Sequence, residues 1–227
     1  IEVDYLILKM DEDGKYELSE QTFISLPSTM VEIGYRAFPE AFPIYYKGDT
    51  DVVFESRFFF KNVRETEEGY WYVDYSNHVG LLNYTGDLDE ITVPRKLGNK
   101  DVRLVESFAF LGDSNLSRIN LPDTISTINT HAFSYTRNLY ILHIPASVID
   151  ISDIYFGFWI GDNELEIEFP AAVVVFENNE SDMNLGSRDA DDYEWGRYIF
   201  GYSSSEIKQD DDFVYLEKLA SVEILAI

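Results

Sequence analysis

The chain has 227 residues, 45% hydrophobic and 15% aromatic, which suffices for a sizeable core and is too apolar for a disordered polymer. Its 17 Lys and Arg stand against 42 Asp and Glu, and the resulting charge of −25 repels phosphate backbones and anionic lipid, so neither nucleic acid nor a membrane surface is an expected partner. The longest apolar run, AAVVVF at 171–176, is strand-sized and argues against membrane insertion, and the absence of cysteine removes disulfides, thiolate zinc sites and thiol nucleophiles.

From the N-terminus, YLILKMDEDGKYELS at 5–19 reads as a β-hairpin, two alternating apolar runs about a DEDG corner. ISLP ending at Pro27 and MVEIGYRAF at 30–38 form one isolated repeat-like turn. Residues 39–69 carry no regular pattern, with FESRFFFKNV as a candidate degenerate turn. These elements define an N-terminal region over 1–69. YWYVDYSNHVGLLNYTGDLDEITVP at 70–94 then opens with a pair of hairpin-like strands that feed a regular series.

That series is a repeat. Apolar-x-apolar-Pro recurs as ITVP, INLP, LHIP and IEFP, ending at Pro94, Pro122, Pro145 and Pro170, at intervals of 28, 23 and 25 residues. After the proline come a second apolar pair and the dipeptide Ala-Phe, in DVRLVESFAF at 101–110 and TISTINTHAF at 124–133. A looser version, VIDISDIYFGF at 148–158, puts Phe156 or Phe158 in that place. Polar hinges, LGDSN at 111–115 and SYTRN at 134–138, separate the units. Alternation along a strand points Ile119 and Leu121 inward and Arg118 and Asn120 outward. Pro122 ends the strand because it has no N–H for the ladder; Ile125 and Ile128 turn inward again, and Phe133 fills the middle. One unit cannot hide these side chains from water, so units have to stack, which predicts a mostly β repeat solenoid over 70–176. The competing reading, edge strands of an antiparallel sandwich, gives no reason for Ala-Phe at a fixed phase after each proline.

Residues 177–227 read as an acidic connector, with DADD and QDDD around YEWGRYIFGY, and a terminal hairpin. FVYLEKLASVEILAI aligns without a gap on the 70–84 segment, Tyr215 on Tyr72 and Leu225 on Leu82, so it is either a cap or the start of another cassette in a longer protein.

The series DLDEITVP, FAF, NLSRINLPDTISTINTHAF and NLYILHIP resembles the BspA-type leucine-rich repeat of bacterial surface proteins, well over 70–175 and as a single unit over 22–38. VGLLNYTGDL at 79–88 is similar to the lead-in ahead of such arrays. The resemblance implies a right-handed coil of parallel strands, an extracellular or cell-surface location and adhesive binding of host matrix protein or glycan. The family often has a cysteine shortly after Ala-Phe; this chain has Asp113 and Thr136, small polar residues that suit a corner.

No catalytic pattern emerges. His78, His131 and His143 fall at different phases, GYSSS at 201–205 lacks the closing glycine of a nucleophile elbow, and no HExxH or phosphate loop occurs. A glycosidase acid pair can be drawn from 42 carboxylates at will and so carries no weight. Asp11, Asp13 and Gly14 form a fragment of a calcium loop, but position five is Lys15 and the closing glutamate is missing, so a hairpin corner is the better reading. Asp189, Asp191, Asp192 and Asp210 to Asp212 read as solvated surface. No enzyme, metal or cofactor is expected.

Binding is expected on the outward strand columns, Glu90, Arg118, Ile141 and Glu166 beside Thr92, Asn120, His143 and Glu168, with Tyr135 and Tyr140 as nearby aromatic anchors. The expectation is a non-enzymatic surface module that binds a macromolecule. The alternatives are a structural spacer displaying another domain and an accessory part of a carbohydrate-acting surface protein.

Overall fold

The computed structural model describes residues 8–10, 16–18, 23–33, 43–49, 58–134, 136, 138–150, 172–184, 196–200, 207–209, 213–216 and 225–226. These are mostly strand, and their one short helix is the single turn Glu180–Asp182. The DxDG corner, the acidic clusters, Tyr135 and the Phe156/Phe158 segment lie outside the described residues.

Five strands form one parallel sheet in the order Glu90–Thr92, Arg118–Asn120, Ile141–Ile144, Ala172–Phe176 and Gly196–Phe200. Pairing is in register: Ile91, Ile119, Leu142 and Val174 lie side by side, and all four are buried in a common core. A second parallel ladder runs through Val79–Tyr84, Lys100–Val105 and Thr127–Ile128. Its inward residues Val79, Leu81, Val102, Val105 and Ile128 belong to the same core, so each unit contributes one side chain set from each ladder.

The corners follow the proline logic. Val93 and Leu121 still donate to the next rung, to Asn120 O and His143 O, and the proline after each cannot. The carbonyls of Pro27, Pro122 and Pro145 then accept from Met30, Ile125 and Val148, the same turn three times over. At the far corner Phe108 and His131 both take left-handed backbone, φ 64° and 57°, and their rings stack at 5.5 Å. Two residues on, Phe110 and Phe133 are wholly buried, stacked 5.3 Å apart and within 6° of parallel. Asp113 and Thr136, three residues after each plug, both cap the corner: Asp113 Oδ1 accepts from the backbone of Asn115 and Leu116, and Thr136 Oγ1 donates to Phe133 O.

The turn at 24–27 is not isolated. Ile24–Leu26 pairs parallel with Ile44–Tyr46, which pairs parallel with Phe59–Phe60. Those two partners are unbroken apolar or aromatic runs without the proline marker, which hid them from a motif search. An aromatic cluster of Phe23, Tyr45 and Trp71 joins this sheet to the antiparallel strands Val63–Glu65, Tyr70–Asp74 and Val79–Tyr84. Tyr45 donates its hydroxyl to Leu82 O at 2.7 Å, and burial pushes its ionisation far above the usual tyrosine range. Leu8–Met10 pairs antiparallel with Tyr16–Leu18. At the other end, Ile207–Gln209, Phe213–Leu216 and Leu225–Ala226 pair antiparallel in sequence order, the topology of the 63–84 strands.

Candidate functional site

The expected columns form for three rungs and then change. Glu90, Arg118 and Ile141 are direct neighbours, as are Thr92, Asn120 and His143. The fourth rung, however, is Ala172–Phe176, so Val173 and Val175 continue the columns. Glu166 and Glu168 lie outside the described residues, and the strand follows Pro170 where it was expected to precede it. The physical reason is that a parallel strand between two others is covered on both faces and selects an unbroken apolar run; AVVVF at 172–176 meets that condition, whereas a rung of LEIEF sequence, as at 165–169, would set carboxylates against Ile141 and His143.

Exposure corrects the columns again. Ile141 was expected outward and exposed, yet it is 1% exposed, and His143 is 4% exposed. Neither belongs to the core between the ladders, so the outer face of this rung is itself covered. The open strip is Glu90 and Thr92, with Arg118 and Asn120 half-buried beside them.

Within the strip, Arg118 Nε lies 3.6 Å from Glu90 Oε2, and Asn120 Nδ2 donates to Thr92 Oγ1 at 3.3 Å. Asn120 Oδ1 and His143 Nε2 are buried without a hydrogen bond. His143 Nε2 comes within 3.3 Å of Glu177 Oε1 without forming a hydrogen bond. Burial holds the His143 pKa below the usual histidine range; the neighbouring Arg118 pushes the same way and Glu177 opposes. The imidazole is therefore neutral near pH 7.

The three histidines occupy three settings: His78 stacks on Tyr75 in a hairpin turn, His131 on Phe108 in a corner, and His143 sits in a strand. Among the described residues no group of three or more acidic or histidine side chains is placed to hold a metal.

One buried polar group escaped the sequence reading. Glu106 is 5% exposed, and its Oε1 and Oε2 accept from Tyr75 Oη and Asn129 Nδ2, both at 2.9 Å. Glu106 and Asn129 occupy equivalent positions in successive units, three residues before each alanine of Ala-Phe, so the pair forms a polar rung inside the stack. Gly80 makes room for it, since a Cβ there would stand 2.2 Å from Oε1. Gly80→Ala is expected to displace the carboxylate and cost about 1–3 kcal/mol by urea unfolding. In a Glu106→Ala background the same change should cost much less; equal costs in both backgrounds would refute the contact.

With this geometry in place, comparison with known proteins is direct. Residues 81–179 match the BspA type leucine rich repeat region in six copies. No curated protein matches the chain. Among solved structures, a leucine rich cell surface protein from Faecalibacterium prausnitzii A2-165 is similar at 16% identity and a TM-score of 0.38, over 81% of this chain and 49% of that one. The present chain thus spans about half the length of that protein. Parallel rungs in register, Pro corners and stacked Ala-Phe plugs coincide with the matched residues, and 81–179 belongs to the BspA-type leucine-rich-repeat family.

Proposed function

We propose that this chain is a non-catalytic cell-surface module that captures a host matrix protein or another neighbouring macromolecule through its parallel-strand face. The rungs then continue as a solenoid, right-handed because parallel crossovers are right-handed in about 98% of cases. The observation that carries the reading is the strip in which exposed Glu90 and Thr92 stand beside part-buried Arg118 and Asn120, where an in-register ladder sets a mixed-charge, hydrogen-bonding column on the sheet. Such repeated faces are the extended binding surfaces of stacked-repeat proteins. The similar protein described as a leucine rich cell surface protein fits the same location.

The double variant Arg118→Ala/Asn120→Ala should lower capture on an array of immobilised matrix proteins and mucin at physiological salt by about tenfold or more. Its melting temperature should stay within about 2–4 °C of the parent, since neither residue belongs to the shared core and removing the buried, unbonded Asn120 Oδ1 loses no hydrogen bond at that atom. Salt matters because a chain of charge −25 collects cationic surfaces when screening is weak. Unchanged capture would refute this face as the binding surface. The spacer reading is favoured by one observation, the covered outer face at Ile141 and Val175, and it is the one left standing if no partner is captured.

A further inference from the structure

Among the described residues two buried side-chain atoms lack a hydrogen-bond partner, Asn120 Oδ1 and His143 Nε2. They belong to register neighbours on adjacent parallel strands. Both residues alternate with core side chains, Ile119 and Leu121 on one strand and Leu142 and Ile144 on the other, so both point to the outer face. A buried polar atom without a partner costs stability until one is supplied, and two of them side by side mark a place for a further group.

Glu177 is the third group at this place. It follows the rung Ala172–Phe176; its backbone N–H donates to Ile144 O at 3.1 Å, and its Oε2 accepts the Ala146 backbone N–H at 3.0 Å. With one carboxylate oxygen fixed in this way, the other, Oε1, stands 3.3 Å from His143 Nε2 with no hydrogen bond between them. Asn120 is oriented from the opposite side: its Nδ2 donates to Thr92 Oγ1 at 3.3 Å, which leaves Oδ1 on the other arm of the amide. The Glu177 side chain is 31% exposed against 5% for His143, so the way in from solvent runs past the carboxylate.

An amide oxygen, a carboxylate oxygen and an imidazole nitrogen that presents its lone pair when the proton is on Nδ1 are all electron-pair donors to a metal ion. Bond lengths of about 2.0–2.1 Å to nitrogen and about 2.0–2.2 Å to oxygen set two ligands of one tetrahedral zinc ion about 3.4 Å apart. The 3.3 Å between Nε2 and Oε1 matches that edge. Calcium and magnesium prefer larger all-oxygen shells, whereas zinc takes imidazole and oxygen together at low coordination number. Arg118 is a cation close to His143, but it is paired with Glu90 at 3.6 Å.

We propose that His143 Nε2, Glu177 Oε1 and Asn120 Oδ1 bind a zinc ion, with water as the fourth ligand. The ion clamps three successive rungs at their outer face, Arg118–Asn120, Ile141–Ile144 and Ala172–Phe176. The site borders the strip through Asn120 but does not rest on capture of a macromolecule there.

Thermal melts and calorimetric titration with zinc chloride, against magnesium chloride at equal concentration, provide the test. Zinc at about a hundredfold excess over its Kd should raise the melting temperature by about 5 °C or more, and magnesium should not. The magnesium arm is needed because a chain of charge −25 gathers divalent cations loosely. His143→Ala and Glu177→Gln should each weaken zinc binding by about tenfold or more and remove most of the zinc-induced shift, whatever the starting melting temperature of the variant. His78→Ala, in a hairpin turn, should keep full affinity. Cobalt(II) should show the strong visible absorption of a tetrahedral site, lost in His143→Ala. An equal response to zinc and magnesium, zinc affinity unchanged in both His143→Ala and Glu177→Gln, or a faint octahedral cobalt spectrum would mean an adventitious ion only and would overturn the proposal. Capture by the strip is measured in the presence of a chelator, so each reading can fail alone.

Discussion

Phe133→Ala is expected to destabilise the protein by about 3–5 kcal/mol, read as a lower urea midpoint or melting temperature, because it opens a ring-sized hole in a core that cannot collapse around it. Phe133 has no exposed surface, lies within 6° of parallel to Phe110 at 5.3 Å, and sits in the cluster shared by both ladders. The Phe110 N–H also donates to Ala132 O at 2.7 Å, which ties the two units together beside the rings. Loss of one ring therefore weakens the contact between neighbours as well as the unit that carried it, as expected where stability is summed over units and their interfaces. Phe133→Leu, which keeps much of the volume, should cost clearly less. Equal losses for both substitutions would mean that the ring is not packed as described.

The second large effect concerns Glu106. Burial raises its pKa above the ordinary 4.5, and the bonds from Tyr75 and Asn129 offset this in part. A carboxyl group whose folded pKa is raised binds its proton more tightly in the native state, so its stabilising contribution is complete below the ordinary value and is lost as pH rises through the raised one. Unfolding midpoints at fixed ionic strength should accordingly fall as pH is increased from about 4.5 toward neutrality. Glu106→Gln should flatten that segment of the profile: its amide oxygen can still accept from Asn129, and its amide nitrogen can donate to the Tyr75 hydroxyl, which is both donor and acceptor. The comparison isolates this group from the general repulsion of a chain of charge −25, which both proteins share almost entirely. Parallel profiles for parent and variant would show that Glu106 does not titrate in the fold as described.

Where the sequence reading succeeded and failed follows a physical line. Ile119 and Leu121 were placed inward from alternation alone, and Pro122 was placed at a corner because proline ends a ladder. Both inferences use only residues within one unit. Ile141 and His143 were placed on an open face by the same alternation, and that step failed. Alternation says which side of the sheet a residue is on; it does not say whether that side faces water. The warning was present in ILHI and AVVVF, runs with almost no polar position, the mark of parallel strands covered on both faces. Glu166 and Glu168 lie outside the described residues, and the rung beside Ile141–Ile144 is the apolar Ala172–Phe176.

What the sequence by itself determined is the unit: its length, its proline corner, its inward aliphatics and its Ala-Phe plug, all written into neighbouring residues whose spacing is fixed by strand and turn geometry. Only the tertiary structure decided which faces stay open, that Glu106 is buried between Tyr75 and Asn129 with Gly80 making room, and that Glu177 comes up to His143. These depend on segments far apart in the chain, where burial and electrostatics are properties of the assembled stack and leave no periodic trace in any one unit.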